Sequence, residues 1–305
     1  MKINTQKLGR YLPLYLMFLP GALYLVINNY LPMSGLVVAF KDYTVREGLF
    51  GSPWNGLKNF EFLFRTPDAW VITRNTILYN LAFIVVNNLL GIIFAIFICD
   101  LANKRLKKVY QSAILFPYLM STVIVGYIVF AFLSPSSGMI NNGILKPLGF
   151  NEVNWYFEAG YWWVIIVFVN TWKGIGYGCL IYVSSINGID PEHYEAADLD
   201  GASKWRQIRH ITLPSVTPTI ITLVLLAIGK VFYSDFGLFY QVPRDSGVLY
   251  STTNVIDTYV YRGLMKQGNI GMSAAAGFYQ SVCGFVLVLT ANFIVSKINK
   301  ENALF

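Results

Sequence analysis

Charged side chains are rare inside long apolar segments, yet this chain places Lys173, Lys230 and Asp235 in such segments, each beside aromatic residues. Asn170 and Trp172 accompany Lys173; Tyr233, Phe236 and Tyr240 surround Asp235; Tyr279 and Gln280 share a third apolar stretch. Hydrogen-bonding groups next to aromatic faces suit a carbohydrate, whose ring has polar edges and an apolar face. Ionisable groups in a bilayer are costly and mark functional sites by default. Asn170, Trp172, Lys173, Tyr233, Asp235, Tyr240, Tyr279 and Gln280 are therefore candidates for lining the path of a polar solute. Lys173 lies about 12 residues, or roughly 18 Å, into its segment if that segment is helical. Lys230 and Asp235 are five positions apart and share no helix face, so Asp235 is expected to meet a charge on another helix, with Lys173 the candidate. Blander roles stand beside these: Lys173 in a structural ion pair, Trp172 facing lipid, Tyr233 in an ordinary core. Gly174 and Gly178 form a small-residue pair that favours close helix packing.

Other chemistries find less support. Acid–base or metal-assisted transfer needs grouped carboxylates or histidines, but Asp198 and Asp200 point to different sides of a helix and Asp190 has no acidic pair. His193 and His210 lack a cysteine or carboxylate at ligand spacing, so no metal is expected. Cys99, Cys179 and Cys283 all lie in apolar segments and read as small packing residues. No G-x-x-x-x-G-K-[ST] pattern occurs, so the chain is expected to bind no nucleotide or other cofactor itself. A membrane-embedded transferase and a secondary transporter stay open as alternatives. The second would ordinarily show inverted repeats and acidic coupling residues, and only Asp235 lies in the apolar part.

The elements that position these residues are membrane spans. Of 305 residues, 55% are hydrophobic and 13% charged, against about 25% charged in soluble domains. The formal charge of +7 sits in short blocks beside apolar segments, which fits membrane topology and not nucleic acid. A span needs about 20 apolar residues, and six candidates run approximately over 14–40, 76–99, 110–133, 161–186, 215–240 and 272–296. The first has the length and the internal Pro20 and Pro32 of a retained helix, and no small-residue cleavage site. The dense block Lys104, Arg105, Lys107 and Lys108 belongs inside by the positive-inside rule, which places both termini and the stretch 187–214 in the cytoplasm. The opposite loops, 41–74 and 134–160, carry turn signals and enough aromatics to pack.

The stretch 187–214 is too polar to cross a bilayer. Asp190 is a good N-cap, Pro191 suits the first turn, and Glu192 and Glu195 favour the positive end of the helix dipole. Gly201 permits a turn and Ser203 can cap a second short helix. Trp205, Ile208 and Ile211 recur every third residue opposite Arg206 and Arg209, and Pro214 is expected to end that helix.

Within it Glu195, Ala196 and Ala197 are followed by Gly201, then by Ile211, Leu213 and Pro214. This spacing resembles the EAA loop of permease subunits of ABC importers. The segments LPGALYLVINNYLPMSGLVVAFKDY, WKGIGYGCLIYVSSINGID and NVIDTYVYRGL extend the likeness over nearly the whole chain, toward the carbohydrate-uptake branch paired with lipoprotein receptors. The resemblance implies an all-α membrane protein with the type I ABC importer permease fold, a single domain of six transmembrane helices with a coupling helix in the cytoplasmic loop. It further implies a non-catalytic subunit in a bacterial cytoplasmic membrane, taking up oligosaccharides or polysaccharide fragments. Its partners would be a second six-span permease, two ATPase subunits holding ATP and Mg, an extracellular substrate-binding lipoprotein, and membrane lipid. Glu195, Ala196, Ala197, Asp200, Gly201, Ile211, Leu213 and Pro214 would then couple to the ATPase.

Overall fold

Apolar runs of this length satisfy every backbone hydrogen bond internally only as helices, and a computed structural model, which describes residues 5–61 and 65–298, is helical apart from one antiparallel bridge between Lys41 and Trp54. Both termini lie outside the described residues. Among the described residues five helical stretches are long and apolar enough to cross a membrane: Tyr11–Phe40, Asp68–Asp100, Ala159–Asn187, Lys204–Ile228 and Ile270–Lys297. A sixth arises if the bent pair Lys104–Leu119 and Thr122–Leu133 counts as one span.

The chain forms two compact units, Met1–Thr66 with Val260–Tyr279, and Pro67–Tyr259 with Gln280–Phe305. In the first, helix α1 (Thr5–Leu25) continues through a wide turn and a 3-10 segment to Phe40. Leu14, Met17 and Phe18 on it are all exposed, as expected of a helix that is apolar on every side and meets lipid or another chain. Phe40, Phe60 and Phe278 close the small core of this unit, with ring centroids 5.1 to 5.9 Å apart. Lys41 is buried because its ammonium donates to the carbonyls of Leu49 at 2.9 Å and Phe50 at 3.1 Å.

The second unit is built on α2 (Asp68–Asp100) and α5 (Trp162–Asn187), which pack along one another. At 33 residues, α2 is about 50 Å long and outruns the hydrocarbon layer. Tyr79, Trp162, Ile166, Phe239 and Val242 form one core, and Ala95, Ile98, Cys179, Tyr182 and Val216 form another nearer the C-termini of α2 and α5. The third expected span, 110–133, is not one rod. It consists of α3 (Lys104–Leu115), a 3-10 turn over Phe116–Leu119, and α4 (Thr122–Leu133), with a bend of 96°. Pro117 lacks the N–H that would continue the helix, and Met120 and Ser121 then run extended, at ψ 137° and 139°. Gly176, not the Gly174 and Gly178 pair, makes the close helix contact: a Cβ on Gly176 would lie 2.1 Å from the Ile114 carbonyl oxygen, while Gly174 and Gly178 have nothing within 4 Å.

Further helices are α6 (Pro191–Leu199), α7 (Lys204–Ile228), α8 (Phe236–Gln241), α9 (Ile256–Met265) and α10 (Ile270–Ile298). Pro214 does not end α7, which runs through it. A wide π turn over Ile208–Thr212 precedes Pro214, and its i to i+5 bonding shifts the ladder so that the ring needs no α-type N–H. The expected span 215–240 therefore begins earlier and stops at Ile228, well short of Tyr240.

Candidate functional site

The loop 187–214 closes on itself before it joins the membrane part. Asp190 accepts the Glu192 N–H at 3.0 Å and Pro191 occupies the first turn of α6, where a missing donor costs nothing. At the other end Ala202 N donates to Ala197 O at 2.9 Å and Gly201 N to Asp198 O at 3.1 Å, with Gly201 at φ +72°. That is a Schellman turn, whose left-handed residue is cheap only without a Cβ. Nothing lies within 4 Å of where that Cβ would stand, so the backbone and not crowding demands glycine. Ser203 starts α7 with an extended backbone, but its side chain makes no capping hydrogen bond.

Two side-chain links fasten α6 to α7. The Tyr194 and Thr212 hydroxyls lie 2.9 Å apart, and the Gln207 amide donates to the Asp198 carboxylate. Gln207 is 3% exposed, also reaches the Ala202 carbonyl at 3.4 Å, and accepts from Lys204 Nζ at 3.2 Å. The inward face of α7 here is thus Gln207 and Thr212, while Trp205, first of the apolar stripe read from the sequence, is 70% exposed. Glu195, Ala196 and Asp200 face solvent, Ala197 is half-covered, Ile211 and Leu213 are half-buried and Pro214 is exposed. Leu199, beside them, is 90% exposed. A cavity of about 460 Å³ lies between this loop and the ends of α2 and α5, lined among others by Phe97, Asn187, Tyr194, Glu195 and Asp198.

Deeper in, the second unit holds a broken span. Beyond the π turn α7 has 16 residues, about 24 Å, before it stops at Gly229. Unpaired backbone at membrane depth must be satisfied by protein, and side chains from three helices do this. Asn80 of α2 donates to the carbonyls of Val231 at 3.0 Å and Tyr233 at 3.2 Å; Gln280 of α10 donates to Phe232 O at 2.7 Å; Asp257 of α9 accepts Ser234 N–H at 2.7 Å and the Gln280 amide at 3.1 Å. Burial raises the Asp257 carboxyl above the ordinary carboxylate range, opposed by the hydrogen bonds from Ser234 and Gln280.

The expected pairing of Asp235 with Lys173 does not occur. Asp235 caps α8 by accepting Leu238 N–H at 3.1 Å, whereas the Lys173 ammonium stands 5.7 Å from the centre of the Tyr118 ring. Asp235 and Lys230 are exposed beyond the end of α7, and Tyr233 is 45% exposed. Asn170 accepts from Asn87 at 2.9 Å, Trp172 packs against the core, and Tyr240 stacks on Phe236 with centroids 4.9 Å apart. Tyr279, half-buried, belongs to the other unit.

The family model for the binding-protein-dependent transport system inner membrane component matches residues 87–300. The chain belongs to this family. Protein LplB and the polygalacturonan/rhamnogalacturonan transport system permease protein YteP, both of Bacillus subtilis (strain 168), are each 34% identical to it over 288 residues, covering 94% of this chain and 90% and 89% of theirs. A crystal structure of a bacterial ABC transporter involved in the import of the acidic polysaccharide alginate matches with a TM-score of 0.88 at 31% identity, covering 96% of this chain and 98% of that one. The same TM-score and 30% identity are found with a bacterial alginate ABC transporter in complex with an alginate pentasaccharide-bound periplasmic protein. The fold is accordingly that of a type I ABC importer permease, and the chain is a multi-pass membrane protein.

The inner membrane component family match takes in the whole of the α6 loop and begins partway along α2. Within this permease the sequence reading passed over the asparagines of α2. Asn75 donates to Asn254 O at 2.9 Å, Asn80 holds the broken segment, Asn87 meets Asn170, and Asn88 accepts from the Tyr182 hydroxyl. The signal was available: four amides in one apolar helix are costly unless they bind other helices. Asp198, Gln207 and Thr212, which with Tyr194 fix α6 to α7, fall at positions that the loop motif leaves open, and Tyr194 stands just before it.

Proposed function

We propose that this chain is one permease subunit of an ATP-driven importer for oligosaccharides or polysaccharide fragments, with the α6 loop and both termini in the cytoplasm. It pairs with a second six-span permease. Two ATPase subunits, holding ATP and Mg, dock on α6 through Glu195, Ala196, Ala197 and Asp200, and Gly201 with Ile211, Leu213 and Pro214 shapes the joint with α7. An extracellular lipoprotein receptor delivers the sugar, and the non-helical segment that follows α7, with Tyr233 and Asp235, together with Asn170, Trp172, Lys173 and Tyr240, contributes to its path. The observation that carries this reading is the fastening of α6 to α7: a solvent-exposed surface that includes Glu195, Ala196 and Asp200 is joined by two part-buried side-chain hydrogen bonds to a helix long and apolar enough to enter the membrane. The alginate importers and the polygalacturonan/rhamnogalacturonan permease point to the same substrate class.

Reconstitution of the four kinds of chain in liposomes tests it. Wild type is expected to import receptor-delivered oligosaccharide with ATP hydrolysis, and Gly201→Arg to assemble yet lose uptake, because a left-handed φ holds a side chain only with strain. If Glu195→Ala and Gly201→Arg both leave hydrolysis and uptake unchanged, the docking assignment fails.

A further inference from the structure

Lys173 is the twelfth residue of α5, roughly 17 Å from its start, and among the described residues no carboxylate comes within ion-pair distance of it. Its neighbour is a pair of tyrosines. The Tyr118 ring lies 5.7 Å from the ammonium and stacks on Tyr177 at 5.2 Å and 16°. Both rings stay open, Tyr118 at 43% and Tyr177 at 54% exposure. An ammonium at this depth demands an anion or a water-filled space, and the described residues supply no anion within ion-pair distance.

The surrounding face of α5 carries polar and small residues. Asn170, Lys173, Tyr177 and Ser184 follow helical spacing on one side of the helix. Gly174 and Gly178 border the same side with open space where their side chains would be. A cavity of about 520 Å³ then continues along the helix past Tyr177, Ser184, Ser185 and Thr219, the last two sharing a hydroxyl hydrogen bond of 3.0 Å. The order along α5 is a cation, an aromatic ring, the apolar Leu180 and Ile181, and the hydroxyls of Ser184 and Ser185, with Thr219 added from α7.

We propose that this face binds a uronic-acid unit of the transported oligosaccharide, with Lys173 on the carboxylate and Tyr118 and Tyr177 against the sugar ring. The inference rests on the permease reading above and specifies its substrate as anionic. A neutral sugar uses the tyrosines and hydroxyls but leaves the lysine unmatched.

The test uses the assembled four-chain transporter in lipid nanodiscs without receptor, titrated with trigalacturonate and with its uncharged trimethyl ester, and read by tryptophan fluorescence. The acid is expected to bind roughly tenfold to a hundredfold more tightly, the range of a charge-assisted hydrogen bond. Lys173→Gln is expected to abolish that preference and Lys173→Arg to keep it, while Tyr177→Ala weakens both ligands alike. Equal binding of acid and ester by wild type, no binding of either, or a preference that survives Lys173→Gln overturns the proposal. Receptor-driven uptake of oligosaccharide, measured in parallel, separates the two readings: no uptake by wild type defeats the permease assignment, and uptake without a charge preference at Lys173 defeats only this one.

Discussion

Gln207→Leu isolates the joint between α6 and α7. The side chain is 3% exposed and its amide donates to the Asp198 carboxylate, so leucine fills similar space and removes the donor while leaving the acid in place. A hydrogen bond to a charged group contributes about 1.5–3 kcal/mol, equivalent to a shift of roughly 10- to 150-fold in the ratio of fastened to released α6. Tyr194→Phe removes the neutral bond to Thr212, found at 2.9 Å, at a cost of about 0.5–1.5 kcal/mol. The two links act on one joint, so the double variant is expected to deviate from additivity. Spin labels on exposed Leu199 and Thr217 report the distance between the two helices, and liposome uptake per ATP hydrolysed reports coupling. The expected result is a broadened distance distribution and a lower uptake-to-hydrolysis ratio, stronger for Gln207→Leu than for Tyr194→Phe. A double variant with the wild-type distance distribution and the wild-type ratio refutes the idea that these bonds carry the connection.

Gly176→Ala and Gly174→Ala form a matched pair on α5. The first drives a methyl to 2.1 Å from the Ile114 carbonyl oxygen, the second meets nothing, so the first is expected to lower the melting temperature of the solubilised complex, by an overpacking cost of about 1–3 kcal/mol, and the second to leave it within error of wild type. Asn80→Ala uncaps the carbonyls of Val231 and Tyr233; hydrogen exchange measured by mass spectrometry is expected to speed up over residues 229–235 and to stay unchanged in α6.

How much was legible in the sequence depended on whether the signal was local. Over 161–186 and 272–296 hydropathy and backbone agree, and the helices α5 and α10 run within two residues of those bounds at each end. The cap at Asp190 and the turn at Gly201 were readable for the same reason, since both are set by neighbours in the chain. The breaks at Pro117 and Gly229 were not. An average over 20 apolar residues cannot distinguish a straight span from a bent one, and the segment after Gly229 is stable only because Asn80, Asp257 and Gln280 arrive from distant positions. The glycine pattern on α5 failed likewise: three glycines alternate over 174–178, and only the position of α3 decides which of them is crowded. Lys173 stands out in the sequence as a charge inside an apolar segment, but its neighbour Tyr118 comes from the turn beyond α3, a contact that no spacing rule anticipates.

The unbroken course of α7 has a mechanical consequence. From Lys204 to Ile228 it is a strut of 25 residues, about 38 Å long, with the joint to α6 at one end and the side-chain-capped segment around Tyr233 at the other. A helix is stiff against compression and twist, but the interrupted ladder around Pro214 makes this one yield to bending. Tilting at the near end is expected to be taken up at the π turn before Pro214, whereas thrust along the axis and rotation about it are the movements expected to reach the segment beyond Ile228.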